Sequence, residues 1–342
     1  MNFFKKCILF CTILSSFFIF GCSKQSSEPI SRTDMIIGTV CTIQIFDSKD
    51  TSILDKCFDE LKNLEDLVSI NKTGTELDTV NENAGNKPIK VSDDTFNIVK
   101  RGLYYSQLSN GNFDITIGPI VKLWGIGTEN AKVPENTLIK DTLSYVGFKN
   151  VDLNENDKTI FLKEPNMVID LGGIAKGYAA DILTDLLKEH NVSSAMINLG
   201  GNIYMLGNKP NGTDWRIGIQ DPNDTKGSVG NLLVKNKSIV TSGTYQRYLE
   251  VDGKIYHHIL NPKTGYPFDN DLLSVSVISD KSIDGDALST TTFALGSKKG
   301  LEFIESLDNI DAIFITKDKK IFITDGIKNN FKITNSSYSL QE

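Results

Sequence analysis

Strand-like and helix-like stretches follow one another along these 342 residues without a regular βαβ alternation. That irregularity argues against a doubly wound parallel sheet and for an α+β fold. Met35 to Phe46 is apolar and alternates towards its end, where Cys41, Ile43 and Ile45 flank Thr42 and Gln44, so it predicts a strand. Leu54, Cys57, Phe58, Leu61, Leu64 and Val68 then recur at helical spacing. A second helix is expected after Ser92-Asp93-Asp94, whose side chains can cap it, with Phe96, Val99 and Leu103 on one face. Asn110 to Gly127 is so rich in glycine and aromatic residues that it reads as a binding loop. Further on, Ala195 to Leu206, Trp215 to Gln220 and Leu273 to Ile278 predict strands, and Asp252-Gly253 predicts a hairpin joining Tyr245–Val251 to Lys254–Leu260. Asp286 to Leu295 predicts a helix, and the remainder to about Thr334 one more helix with two or three short strands.

The first residues carry Lys5 and Lys6, an apolar run from Cys7 to Phe20, then Gly21-Cys22 and a group of serines. The run is short for a spanning helix, and the pattern is that of a secretory signal over residues 1–21; an uncleaved anchor is the alternative. Ile19-Phe20-Gly21-Cys22 resembles a bacterial lipoprotein processing box, which would make Cys22 the lipidated first residue of the mature chain. More than one acyl chain there gives stable anchoring, each buried methylene contributing about 0.8 kcal/mol. Residues 22–32 would be a flexible tether and residues 33–336 one large domain at the extracytoplasmic face of the cell membrane.

Cys41 and Cys57 are then the two thiols left in the domain, too few for a disulfide framework. They either pair with each other or serve as small buried hydrophobes. The formal charge of −7 becomes −9 once Lys5 and Lys6 leave, and no dense basic tract appears, so nucleic acid is not an expected partner.

Chemistry concentrates in three places. His257 to Pro267, H-H-I-L-N-P-K-T-G-Y-P, holds two of the three histidines against a turn in which Pro262 and Pro267 fix φ and Gly265 permits positive values. His258 could act as general base or as a hydrogen-bond donor, and His257 would point to the opposite face of a continuing strand. His190 fits the end of a helix, where the dipole favours it. Asp170 to Asp181, D-L-G-G-I-A-K-G-Y-A-A-D, reads as a strand end passing through a glycine pair into a helix, a junction able to hold phosphate through backbone N–H groups. In D-G-D-A-L-S-T, Asp286 and Thr290 share a helical face and offer hard oxygen ligands that suit Mg²⁺, and equally accept Ca²⁺ or Mn²⁺. The same residues also read as a helix start capped by Asp284.

Taken together in chain order, these motifs resemble the ApbE family of FAD:protein FMN transferases. The resemblance rests on Gly38-Thr39, G-N-F-D-I-T-I-G-P-I-V-K-L-W-G-I-G, D-L-G-G-I-A-K-G-Y-A-A-D, N-L-G-G-N at 198–202, T-S-G-T-Y-Q-R-Y from Thr241, H-I-L-N-P-K-T-G-Y-P and D-A-L-S-T-T. It spans about Met35 to Thr334 and implies a single domain of mainly antiparallel sheets with packed helices. It further implies cleavage of the FAD pyrophosphate, delivery of FMN to a threonine hydroxyl of an acceptor flavoprotein, a subunit of a membrane redox complex or another extracytoplasmic flavinylated domain, and release of AMP. Carried onto this chain, the metal would be held by Asp286, Thr290 and the carbonyl of Ala175. Flavin and adenine contacts would come from Asn71, Phe113, Asp114, Gly172, Tyr178 and the Ile259–Leu260 backbone. His258 would sit beside the reacting phosphate, and Lys176 is a candidate for the cation that neutralises developing charge. The chain departs from the family at Ile37, where many members have Met, at Asn71, where many have Tyr, and at Asn261, where Asp is frequent.

Two other functions compete. An FAD pyrophosphatase would use water in place of threonine and free both FMN and AMP. A non-enzymatic flavin-binding lipoprotein would bind FAD without metal and would have no use for Asp286 and Thr290 as a pair.

Overall fold

A computed structural model describes residues 28–341. The signal segment and Cys22 lie outside the described residues. Three helices carry most of the packing: α1 (Ser52–Val68), α6 (Ala175–Glu189) and α7 (Ser282–Glu305). Between them come α2 (Glu76–Glu82), α3 (Asp93–Leu108), α4 (Gly118–Trp124) and α5 (Asn136–Leu143). A nine-stranded sheet runs in the spatial order β1 (Ile30–Ile36), β2 (Thr39–Ile45), β6 (Ala195–Leu199), β7 (Asn202–Leu206), β10 (Lys237–Gly243), β13 (Leu272–Ser279), β14 (Asp311–Thr316), β15 (Lys320–Ile323) and β17 (Ser339–Leu340). All its pairings are antiparallel except the last, β15 with β17. A second sheet joins β16 (Phe331–Ile333), β9 (Asp224–Val234) and β8 (Trp215–Asp221), and a third joins β3 (Ile89–Lys90), β5 (Thr159–Leu162) and β4 (Val151–Asn154). The hairpin β11 (Tyr248–Val251) and β12 (Lys254–His257) stands as a sheet of two strands.

The large sheet is buried on both faces, and β14 shows how. Ala312 and Phe314 face the helices, while Ile313 and Ile315 face the second sheet, the period of two expected of a strand with a core on either side. The fold is therefore α+β with mainly antiparallel sheets, as expected from sequence. Cys41 and Cys57 are both free and buried in the helical core, where burial pushes their thiols up to about 11 and about 12.

Several local expectations change. Met35–Phe46 is not one strand but most of the β1–β2 hairpin, turning at Ile37-Gly38 with φ of 54° and 65°. Ala195–Leu206 is likewise two strands about Gly200-Gly201. Residues 30–32, expected in the tether, already pair in β1, Ile30 opposite Ile45. The Asn110–Gly127 segment contains α4, with Pro119 in its first turn, where the missing N–H costs nothing. Asp170 ends no strand; the segment makes an isolated bridge, Val168 with Ile117, and then turns into α6. The α7 N–H groups are capped by Asp181, which accepts from Ser282 and Ile283 at 2.8 and 3.0 Å, rather than by Asp284. Gly296 breaks α7 in its middle, so the two helices expected in this region are its two halves.

Candidate active site

The crossing of α6 with α7 brings two of the three sequence constellations together. Gly177 makes the crossing possible, since a Cβ there would stand 2.3 Å from the Ser282 carbonyl oxygen. At this closeness its N–H donates to Asp286 Oδ2 at 2.9 Å, and Lys176 Nζ lies 3.4 Å from Oδ1 and 3.5 Å from Oδ2. The Asp286 side chain is 5% exposed and that of Lys176 24%. A carboxylate this deep needs a positive partner, and a lysine at these distances compensates it only loosely. Lys176 also donates to the Gly172 carbonyl at 3.0 Å, tying the glycine pair to the same charge. One turn along α7 from Asp286, Thr290 presents its hydroxyl towards Gly173. A Cβ added to Gly173 would fall 3.0 Å from the Phe113 ring and 3.6 Å from Thr290 Oγ1, so the glycine leaves a small cradle between them.

The histidines separate as expected. His257 is buried, accepts from Ile259 N–H at 3.3 Å through Nδ1 and donates to the Phe268 carbonyl at 2.9 Å through Nε2. Both nitrogens are used, so it is structural. His258 has its Nδ1 3.1 Å from the Arg247 carbonyl, an acceptor only, which puts the proton on Nδ1 and leaves Nε2 with a lone pair. Burial, with help from the positive charges of Arg247 and Lys176, pushes its imidazole down to about 4. It is a neutral base at physiological pH. His190 caps the C-terminal end of α6 and meets Lys56 Nζ at 3.0 Å, far along the helix from Asp286.

Other expected site residues take different positions. Phe113 is buried below Gly173, and Asp114 spends one oxygen on its own loop and the other on the turn at Phe148. Its Oδ1 accepts from Thr116 N–H and O–H at 2.8 and 2.6 Å, and its Oδ2 from Phe148 N–H at 3.1 Å. Burial pushes the Asp114 carboxyl up. Tyr178 donates to Asp94 Oδ1 at 2.7 Å on the α3 side of α6 and lines an open pocket of about 390 Å³ with Arg101, Asp181 and Asp284. The Ile259 carbonyl accepts from Phe268 N–H at 3.0 Å, and Leu260 bridges to Pro267. Asn71 is exposed in the turn after α1, its N–H on Ser69 Oγ. Ala175 is the first residue of α6.

Two residues quoted within motifs but not singled out meet the residues of this site. Arg247 donates from its guanidinium to the Gly38 carbonyl at 3.0 Å, packs its side chain against Gly127, and accepts both the N–H and Nδ1–H of His258 on its own carbonyl. Asp170 accepts from Gly172 N–H at 2.7 Å; burial pushes its carboxyl up, while Lys176, Lys122 and Arg247 pull it down. No local pattern separates these two from other charged residues. The remaining motifs converge here too. Gly200 N–H bonds the Val40 carbonyl, Ser242 bonds Ser289 on α7 at 2.8 Å, Lys263 reaches Asn112 at 2.8 Å, and Trp124 Nε1 donates to the Gly265 carbonyl at 2.7 Å.

A neutral base, a lysine and a buried carboxylate beside a helix start form a centre suited to group transfer on an anionic substrate. The lineage is clear: residues 37–314 match the ApbE family, and the chain belongs to that family. It is 38% identical over 311 residues to an FAD:protein FMN transferase of Klebsiella pneumoniae, covering 91% of this chain and 96% of that one. A protein of the same name from Treponema pallidum is 34% identical over 329 residues, covering 91% of each. Among solved structures, the ApbE protein of Thermotoga maritima superposes with a TM-score of 0.82 at 28% identity, covering 89% of this chain and 99% of that one. The flavin transferase ApbE of Vibrio cholerae gives 0.80 at 27% identity, with the same coverages.

Proposed function

We propose that this protein is an FAD:protein FMN transferase that attaches FMN to a threonine of an acceptor flavoprotein, such as a subunit of a membrane redox complex. It would work on the extracytoplasmic face, held to the membrane by lipid on Cys22. No helix among the described residues is long and apolar enough to cross a membrane.

The observation that carries the reading is the pairing of a buried, loosely compensated Asp286 with a histidine kept neutral by burial, its proton fixed on Nδ1 by the Arg247 carbonyl. In the transfer, the threonine oxygen attacks the flavin-side phosphorus, the bond from that phosphorus to the bridging oxygen breaks, and AMP departs with that oxygen and the electron pair. The threonine proton passes to His258 Nε2. The glycine pair lets the backbone approach the diphosphate, and Lys176 stands where negative charge grows.

The residues fit a divalent metal. Among the described residues no group of three or more His, Cys, Asp or Glu could hold one. A site here would therefore rest on the Asp286 carboxylate, the Thr290 hydroxyl and the Ala175 carbonyl, with water and substrate phosphate completing the shell, as suits Mg²⁺. The cradle at Gly173 supports the assignment. When bound, the metal would supply Lewis-acid stabilisation of the phosphate charge.

The test is to incubate the protein with FAD, Mg²⁺ and a purified threonine-bearing flavinylation domain, following AMP and intact acceptor mass together. A mass gain equal to FMN, matched by AMP and lost with EDTA, is expected. AMP with free FMN and an unmodified acceptor would instead make the protein a pyrophosphatase.

A further inference from the structure

Single apolar residues on a protein surface need no explanation, but their concentration does. Eleven large apolar side chains stand exposed among the described residues, and five of them, Met35, Val40, Tyr248, Val251 and Ile255, lie on just two hairpins, β1–β2 and β11–β12. Met35 and Val40 are direct cross-strand partners, 66% and 50% exposed. On the second hairpin Tyr248 pairs with His257 and Glu250 with Ile255, so Tyr248 and Ile255 are diagonal neighbours on one face, 49% and 54% exposed. The opposite face, which carries Val251, is occupied at its root, where Tyr256 packs on Trp124 with ring centroids 5.3 Å apart. Among the described residues the hairpin pairs with no further strand.

Both hairpins end at the reaction centre. Arg247 immediately precedes β11 and His258 immediately follows β12, while the Arg247 guanidinium holds the Gly38 carbonyl at the β1–β2 turn. The apolar residues are thus carried by the two elements that meet around His258.

We infer that the open face of the β11–β12 hairpin, together with the Met35–Val40 pair, is the surface on which the acceptor protein docks. This rests on the transferase reading, which itself demands such a surface. A hydroxyl on a folded partner reaches the phosphorus beside His258 only if the partner covers the rim around that histidine, and these hairpins form it. A second copy of this chain seated there would block the site, and a lipid surface would bring no hydroxyl to the phosphorus. An apolar rim contributes affinity for a protein without competing for the anionic substrate.

The test compares the Tyr248→Ser/Ile255→Asp double variant and Met35→Asp with Leu233→Asp, a control at an exposed apolar residue on β9. All four side chains are exposed, so the fold is not at risk. Flavinylation of the purified threonine-bearing domain is followed by mass against acceptor concentration, with FAD affinity, particle size and binding to anionic phospholipid vesicles measured alongside. The expected result is an acceptor KM raised about tenfold or more in the double variant and less in Met35→Asp. FAD affinity and kcat at saturating acceptor should stay at wild-type values, and the control should be silent. An unchanged acceptor KM overturns the proposal, whether nothing else moves, vesicle binding falls or a dimer dissociates; the last two would reassign the surface to lipid or to self-association. Failure of the wild-type protein to modify the acceptor at all would overturn the transferase reading first.

Discussion

The two sides of the site are built in opposite ways. Asp286 and Lys176 sit at the crossing of α6 and α7, among residues of the main core, and their backbone is fixed by a contact too close for any side chain at Gly177. His258 and Arg247 sit at the root of a two-stranded hairpin with one face open to solvent. The first arrangement suits groups that must be in place before charge develops on a phosphate. The second suits a border that a macromolecule crosses, because elements with few buried contacts open at low cost. In the same protein, rigidity is placed where charge is neutralised and compliance where the partner enters.

The strongest way to break that contrast is to force the crossing apart. Gly177→Ala would place a Cβ 2.3 Å from the Ser282 oxygen and 2.6 Å from Ile283 Cα, both backbone atoms that cannot swing away. A loss of about 3 kcal/mol or more in stability is expected, read as a fall in Tm, with activity lost in parallel. A wild-type Tm would show that the helices slide and that the corner is not rigid. Asp286→Asn is the gentler probe, since the amide oxygen still accepts the Gly177 N–H while the charge is gone. Turnover should drop about a thousandfold, the scale of several kcal/mol of lost charge stabilisation, with Tm close to wild type. Full activity would remove Asp286 from any role in metal binding.

On the other side, His258→Ala should lower kcat by about a hundredfold or more with FAD affinity kept, as for a lost general base. The pH profile sharpens this. A base whose pKa is pushed down to about 4 stays neutral, and hence competent, throughout the range above it. The acid limb assigned to His258 should therefore lie near 4 and not near the ordinary imidazole value of 6.5. A limb near 6.5 would mean that His258 is solvated and not held as the structure has it.

How much of this could be read from the residues alone depended on distance along the chain. Asp252-Gly253 announced its hairpin because both turn positions need positive φ, which those residue types tolerate. Ile37-Gly38 makes a turn with the same signs, but a β-branched residue at φ 54° violates the local rule, so a continuous strand was the natural reading. The helix α4 was hidden by Gly118 and Pro119, which look like loop until Pro is seen in the first turn. The strand β9 carries Gly227 and Gly230 inside it, and neither it nor β10 was anticipated. The pairing of Asp286 and Thr290 was legible because helical period alone sets it. The cap from Asp181 and the link from Arg247 to Gly38 join residues about 100 and 209 positions apart, which no window reads.

Arg247 offers the finest test of the contrast, because it serves the hairpin side in two separable ways. Its carbonyl orients His258, and any residue supplies that; its guanidinium holds Gly38 and adds positive charge that helps keep the imidazole neutral. Arg247→Met keeps the first and removes the second. Lys176 and His257 still face His258 and burial still dominates, so the limb should rise only partway, by about one pH unit, and kcat at pH 7.5 should fall modestly. Arg247→Lys should restore the limb, since it returns the charge, but not the bond geometry to Gly38 that a planar guanidinium provides. If both variants shift the limb equally, charge is not what Arg247 contributes. The tie between the two hairpins is then its role, and its bond to the Gly38 carbonyl is what braces the compliant side of the site.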